Sequence, residues 1–323
     1  MRRRSTLVSI CTIAAFALAP TFVVASTDIA WRTIEWDGNN RRYGAYVPPE
    51  PSEPSPLVVL LHGGGGSAAG VWTQKHGRSW RTLSDEHGFV LLLPEGLADP
   101  GDPEVHHWND CRSGTGSAAV ASTADDVGFI VGLIDRLAEE IRIDADRVYV
   151  TGASNGGMMS YRLALEAPDR FAAIAALIAN LPDPSECTST PTAVPVLIMN
   201  GTDDPLMPFD GGCIVSEECG RSRVLSTAET VAFWVRVNGA SPEPTVTRLP
   251  DRSWFDGSRV IVSVYDGGTD GADVLYYRVQ GGGHTVPGFE RSNLRYSLRY
   301  SLVAGLKNRD IDAPTEIWAF FSA

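Results

Sequence analysis

Positive charge is in short supply along this chain. Its 323 residues hold 27 lysines and arginines against 39 acidic residues, a net charge of -12. A surface of that sign repels a phosphate backbone, so nucleic acid is excluded as a partner. Cysteine is scarce as well, at five residues, and the spacing of Cys111, Cys187, Cys213 and Cys219 fits no zinc ribbon. No uninterrupted run of about 20 apolar residues is present to cross a bilayer; the apolar start is broken by Ser9, Thr12, Pro20 and Thr21. The phosphate-loop spacing G-x-x-x-x-G-K-[ST] is missing, which removes the nucleotide reading of the glycine run "HGGGG". Nor is there an internal repeat, a low-complexity tract or a linker to a second module. What remains is globular composition, 43% hydrophobic and 20% charged, enough for one large α/β domain.

The first residues, "MRRRSTLVSICTIAAFALAPTFVVAS", join three arginines to an apolar run and then place Val23 and Ala25 at the small-residue positions before a cleavage point. Residues 1–25 therefore read as a signal peptide and residues 26–323 as a single catalytic domain, secreted to the periplasm or the cell exterior without a stable membrane anchor. Arg3 and Arg4 leave the export route open. Ile10 is too bulky to precede a lipidated Cys11. Cleavage leaves 24 basic against 39 acidic residues, and export exposes the four later cysteines to an oxidising compartment, where an even set pairs. Cys213 and Cys219 flank a short polar loop and are expected to bond, leaving Cys111 with Cys187.

Buried-strand runs start at Leu57, Phe89, Arg147, Val194, Val260 and Val274, and helical patterns lie between them from Asp125, Gly156 and Ser226. That alternation predicts a mostly parallel central sheet with helices on both faces. In "ASTADDV", Ser122 or Thr123 reads as a helix N-cap, with Asp125 and Asp126 as first-turn acids.

One turn carries chemistry. "RVYVTGASNGGMMSYRL" is G-x-S-x-G at a strand-to-helix junction, where the small neighbours let chain segments crowd while the Ser154 hydroxyl points outward. A serine needs a base oriented by a carboxylate. In such sheets the chain order is Ser, acid, His, and five of the six histidines precede Ser154. His284 in "QGGGHTVPG" is left as the base. "VPVLIMNGTDDPLMP" supplies Asp203 and Asp204 after a strand; spacing does not choose between them. The oxyanion donors are the Asn155 amide and, from "LLHGGGGS", that of Gly64 or Gly65. His62 braces this loop. Trp108, in the loop after "FVLLLP", lies near the expected cleft mouth, where it could stack on an acyl or aromatic group; core or loop packing is the equal alternative.

Taken together, "LVVLLHGGGGSA", "WNDCR", "RVYVTGASNGGMMSYRLALEAPDRFAAIA", "LIMNGTDDPLMPFDGG" and "GGGHTVPG" resemble the polyhydroxybutyrate depolymerase-like esterases of the α/β-hydrolase superfamily, close to the feruloyl and acetylxylan esterases of carbohydrate esterase family one. The resemblance implies Ser154 as nucleophile, His284 as base, Asp204 as acid from a G-T-x-D pattern, and Gly64 with Asn155 as oxyanion hole. It also implies no cofactor, no protein partner, and an ester substrate, oligomeric or polymeric. A serine peptidase and an inactive binding protein are the poorer alternatives. Two departures stand out: Val286 occupies a position where relatives often carry tryptophan, and residues 289–308 are more helix-like than the family pattern, leaving a lid open.

Overall fold

The computed structural model describes residues 28–112, 124–187, 189–214, 222–289 and 302–323. The expected signal peptide, Ser122 and Thr123, Cys219 and residues 290–301 lie outside them.

The strands are, in chain order, β1 (Ala30–Trp36), β2 (Asn39–Tyr46), β3 (Ser55–Leu61), β4 (Val90–Pro94), the small hairpin β5 (Leu97–Asp99) and β6 (Asp102–His107), β7 (Ile143–Ala153), β8 (Ala173–Leu177), β9 (Val196–Gly201), the short pair β10 (Gly212–Cys213) and β11 (Arg223–Val224), then β12 (Thr245–Arg248), β13 (Arg259–Tyr265) and β14 (Val274–Gln280). Ten of them form one sheet in the order β1-β2-β4-β3-β7-β8-β9-β14-β13-β12. From β4 to β14 every pairing is parallel. The helices are α1 (Ala68–Thr73), α2 (Lys75–His87), α3 (Asp126–Glu140), α4 (Asn155–Glu166), α5 (Thr227–Asn238) and α6 (Ala313–Phe321).

The continuous apolar runs follow from burial on both faces. Every residue of β3, β4, β8 and β9 is buried. Successive side chains point to opposite faces of a strand, so Leu57, Val59 and Leu61 pack with Phe129, Leu133 and Met158 of α3 and α4. Val58 and Leu60 meet Val71, Trp80 and Trp318 of α1, α2 and α6 on the other side. A strand sandwiched this way shows no polar alternation.

Two sequence expectations change here. The strand from Val260 is antiparallel to β14, not part of a parallel unit, because residues 266–273 are too few for a crossover, which takes about a dozen or more. The cap of α3 is Asp125, whose carboxylate accepts from Gly128 N–H at 2.8 Å. Asp126 then turns inward, where it is fully buried, receives Arg41 Nη2 at 2.7 Å and accepts from Asn109 N–H at 2.8 Å. Burial pushes its carboxyl up from the usual range, against the pull of Arg41. This buried pair ties β2 and α3 to the loop that follows β6.

Cys111 and Cys187 form a disulfide, as expected. Cys213 is also disulfide-bonded; Cys219, its expected partner, is outside the described residues. No helix among the described residues is long and apolar enough to cross a membrane.

Candidate active site

Strand β7 delivers Ser154 to the start of α4 with φ 57° and ψ -123°. A non-glycine residue held there stores on the order of 1–3 kcal/mol of strain, which surrounding contacts must offset. They are visible: Ser154 N–H donates to Leu177 O at 2.8 Å, at the end of β8, and Ser154 O accepts from Met158 N–H at 2.9 Å. The motif's second glycine has a steric reason, since a Cβ on Gly156 would overlap the His62 carbonyl oxygen. Helix α4 can thus sit directly on the glycine loop after β3.

The loop after β9 brings up the carboxylate. Asp204 Oδ1 accepts from the Leu206 and Met207 amides at 2.8 and 2.7 Å, and Oδ2 lies 2.8 Å from His284 Nδ1. Asp203 is exposed and accepts from the Thr202 hydroxyl at 2.6 Å. The carboxylate that faces the histidine is therefore Asp204. His284, on the loop after β14, is fixed through its backbone, its N–H donating to Ala304 O at 2.6 Å. Asp204 holds the ring from Nδ1, which leaves Nε2 as the other ring nitrogen. Ser154 and His284 line one cleft of about 1260 Å³, although a hydrogen bond from Ser154 Oγ to His284 is not closed among the described residues. Triad hydrogen bonds of this kind commonly tighten only when substrate is bound.

The two glycine amides of the loop have different surroundings. Gly65 N–H donates to His106 O at 2.9 Å and Gly66 N–H to Gly63 O at 3.0 Å. The Gly64 backbone lies beside Asn155, a Cβ there falling 3.4 Å from that of Asn155. Gly64 and Asn155 are thereby adjacent. His62 underlies the loop: its Nδ1 bonds Gly63 O at 2.8 Å and its Nε2 accepts from Gly96 N–H at 2.9 Å. Burial drives its pKa down to about 3, so the ring is a neutral brace.

Trp108 is corrected by the structure. It is fully buried, its indole N–H donating to His62 O at 2.9 Å and its ring 4.9 Å from that of His62. The β5–β6 hairpin carries it underneath the glycine loop and away from the cleft mouth. The aromatic side chain on the cleft wall is Phe255, stacked on Trp254 at 3.5 Å between centroids; Val286 also lines the cleft. Asp110 was not marked by any spacing in the sequence. It accepts from Asn155 Nδ2 at 2.6 Å while paired with Arg112 at 2.8 Å. Its place two residues after Trp108 in "WNDCR" gives no hint of such a contact.

Residues 41–240 match the profile of the family described as Esterase PHB depolymerase. The chain belongs to that family. Like other members of the Esterase PHB depolymerase family, it is a carboxylic ester hydrolase. NocK of Nocardia uniformis subsp. tsuyamanensis, a presumed esterase, is 33% identical over 276 residues, covering 82% of this chain and 76% of NocK. Feruloyl esterase C of Emericella nidulans is 28% identical over 248 residues, 72% of this chain and 78% of that protein. Among solved structures, the acetyl xylan esterase of Aspergillus awamori superposes with a TM-score of 0.54 at 17% identity, covering 80% of this chain and 95% of the other. That likeness shows the α/β-hydrolase fold.

Proposed function

We propose that this esterase works through an acyl-enzyme on Ser154, with His284 as base and Asp204 as its orienting acid. The observation that carries this reading is the Asp204–His284 contact at 2.8 Å on the wall of the cleft that also holds Ser154 on its strained turn. His284 Nε2 takes the Ser154 proton as Oγ attacks the ester carbonyl, and the Gly64 and Asn155 amides receive the oxyanion. The imidazolium returns its proton to the leaving alcohol; water then repeats the sequence on the acyl-enzyme. The cation His284 forms in this step is stabilised by Asp204, whose other oxygen, Oδ1, is already fixed by two amides.

The substrates we propose are hydroxyalkanoate-type esters, in keeping with the family's description. Phe255 and Trp254 at the cleft rim favour a second reading, a feruloyl-type aromatic acyl ester, like the substrate named for the Emericella relative. The signal-like residues 1–25 support export, and N-terminal sequencing of the exported protein should start at Ser26. Hydrolysis of hydroxybutyrate oligomers, methyl ferulate and acetylated xylan, measured side by side with a peptide anilide, tests the assignment. Turnover of the anilide alone would defeat it.

A further inference from the structure

Beside the proposed oxyanion amides stands an imidazole that the mechanism above leaves unused. His107 closes β6, is half-buried and lines the cleft together with Gly64, Ser154, Asn155 and His284. A Cβ on Gly64 would meet its Nδ1 at 3.2 Å and the Asn155 Cβ at 3.4 Å. The His107 ring and Asn155 therefore flank Gly64 together, in the space that a larger residue at position 64 would need.

The main chain holds His107 in that place from both sides. His106 O accepts from Gly65 N–H at 2.9 Å, and His106 N–H donates to Gly66 O at 3.3 Å. On the other side, Asn155 takes the Trp108 backbone at both its amide and its carbonyl. Adjacent side chains of a strand point opposite ways: the His106 ring approaches Glu95 at 3.6 Å, while the His107 ring is turned to the glycine loop. A donor fixed before the reaction needs no reorganisation when charge develops.

The ring itself is uncommitted. Neither of its nitrogens makes a hydrogen bond among the described residues. No carboxylate holds it as Asp204 holds His284, so it lacks the partner of a general base. Burial lowers its pKa against the opposing pull of Asp99; the neutral ring carries one N–H, and with both nitrogens open that proton can sit on Nδ1. The Gly64 N–H has no acceptor among the described residues either. A Cβ lies about 2.5 Å from its own backbone nitrogen, which puts His107 Nδ1 within about 6 Å of the Gly64 nitrogen. Two donors that each bond one oxygen at about 3 Å can stand that far apart.

We propose that His107 is a third oxyanion donor, its imidazole N–H bonding the acyl oxygen of the tetrahedral intermediate beside the Gly64 and Asn155 amides. The proposal rests on the esterase reading above and adds a catalytic residue to it. A neutral imidazole can polarise a carbonyl in this way without first being protonated.

The test sets His107→Leu, which keeps bulk and removes the donor, beside His107→Asn, whose side-chain amide can put an N–H where Nδ1 stands. On p-nitrophenyl butyrate, kcat should fall about 10²-fold in His107→Leu with KM within about threefold of wild type, the loss typical of one oxyanion donor. His107→Asn should recover about tenfold or more of that loss. A kcat within about twofold of wild type in His107→Leu, or no recovery in His107→Asn, overturns the proposal. Where His107→Leu does not fold, His107→Ala takes its place with the same expectation. Binding of butaneboronic acid, which adds to a serine hydroxyl as a charged tetrahedral adduct, reads the oxyanion hole without turnover. Wild-type protein that binds the boronate about 10²-fold more tightly than His107→Leu yet hydrolyses no ester would sink the esterase reading and leave the donor standing. Equal boronate affinities would remove the donor whether or not ester is hydrolysed.

Discussion

The Asn155 side chain clamps the backbone of Trp108 from both sides. Its Oδ1 accepts from Trp108 N–H at 2.8 Å and its Nδ2 donates to Trp108 O at 2.9 Å, with a further bond from Nδ2 to Asp110. The residue after the candidate nucleophile thus does two jobs. Its amide is the oxyanion donor proposed above, while its side chain anchors the loop on which the glycine run rests. Asn155→Ala should leave the Trp108 amide and carbonyl without these partners and take one donor from Asp110, which keeps Arg112. We expect a stability loss of about 3 kcal/mol in denaturant melts and a fall in kcat of about tenfold or more from the loosened amide; an unchanged melt would show that the clamp is not needed.

Ser154→Ala should retain the wild-type melting transition and lose about 10⁶-fold in kcat, the effect typical of removing a triad nucleophile. A fluorophosphonate probe should label the wild type at Ser154 and leave the variant unlabelled. Substantial turnover by the folded variant would remove Ser154 from the mechanism.

The two neighbouring aspartates should part company sharply. Asp204→Asn keeps the shape but reverses the hydrogen-bond polarity toward His284, and a tautomer fault of this kind lowers kcat by about 10⁴-fold. Asp203, exposed and bonded to Thr202, should tolerate asparagine with a loss of less than about threefold. Comparable losses in the two variants would place the acid elsewhere.

The Cys111–Cys187 bond closes a loop of 76 residues. In the chain-entropy description such closure contributes about 4 kcal/mol. Changing both cysteines to serine should lower stability by that order in denaturant titration of the oxidised protein. Reducing agent should bring the wild type down at least as far, since it also opens the disulfide at Cys213, and a midpoint insensitive to reduction would refute the assignment.

Acid should weaken the fold before its carboxylates titrate. His62 and His76 have pKa values lowered by burial to about 3 and about 4, so in the unfolded chain each takes up a proton near its ordinary value while the folded rings stay neutral. Stability is then fully present above pH of about 6.5 and falls as pH drops toward those folded values, by about 1.4 kcal/mol per pH unit for each histidine. Guanidinium midpoints measured from neutral pH down to about pH 5, above the ordinary carboxylate range, should therefore decline. A flat profile there would contradict the burial of both rings as neutral groups.

Much of this protein is written in local pattern. The buried strands are legible because a segment covered on both faces must be apolar throughout. Ser154 is legible because a strained strand-to-helix turn demands small neighbours, and His284 because it is the one histidine past that turn. Strand β8 escaped notice, since its alanine-rich "AIAAL" has weak strand preference and becomes a strand by fitting between β7 and β9. The antiparallel placement of β13 followed from a short connection whose length mattered only once β14 was paired.

Spacing left choices between neighbours open; the resemblance supplied an expectation, and only the tertiary structure shows the partners of each. Asp203 and Asp204 are equivalent in sequence; the Leu206 and Met207 amides turn one toward His284. Gly64 and Gly65 differ because His106, from a hairpin some forty residues on, takes the Gly65 amide. Trp108 was placed at the cleft mouth by its loop, and the His62 carbonyl drew it inside. The cleft lining is the extreme case, assembled from segments around residues 62, 107, 154, 255 and 284 that share no local pattern. Sequence sets burial and backbone conformation through near neighbours, whereas hydrogen-bond partners and the lining of a cleft depend on which distant segments the sheet brings together.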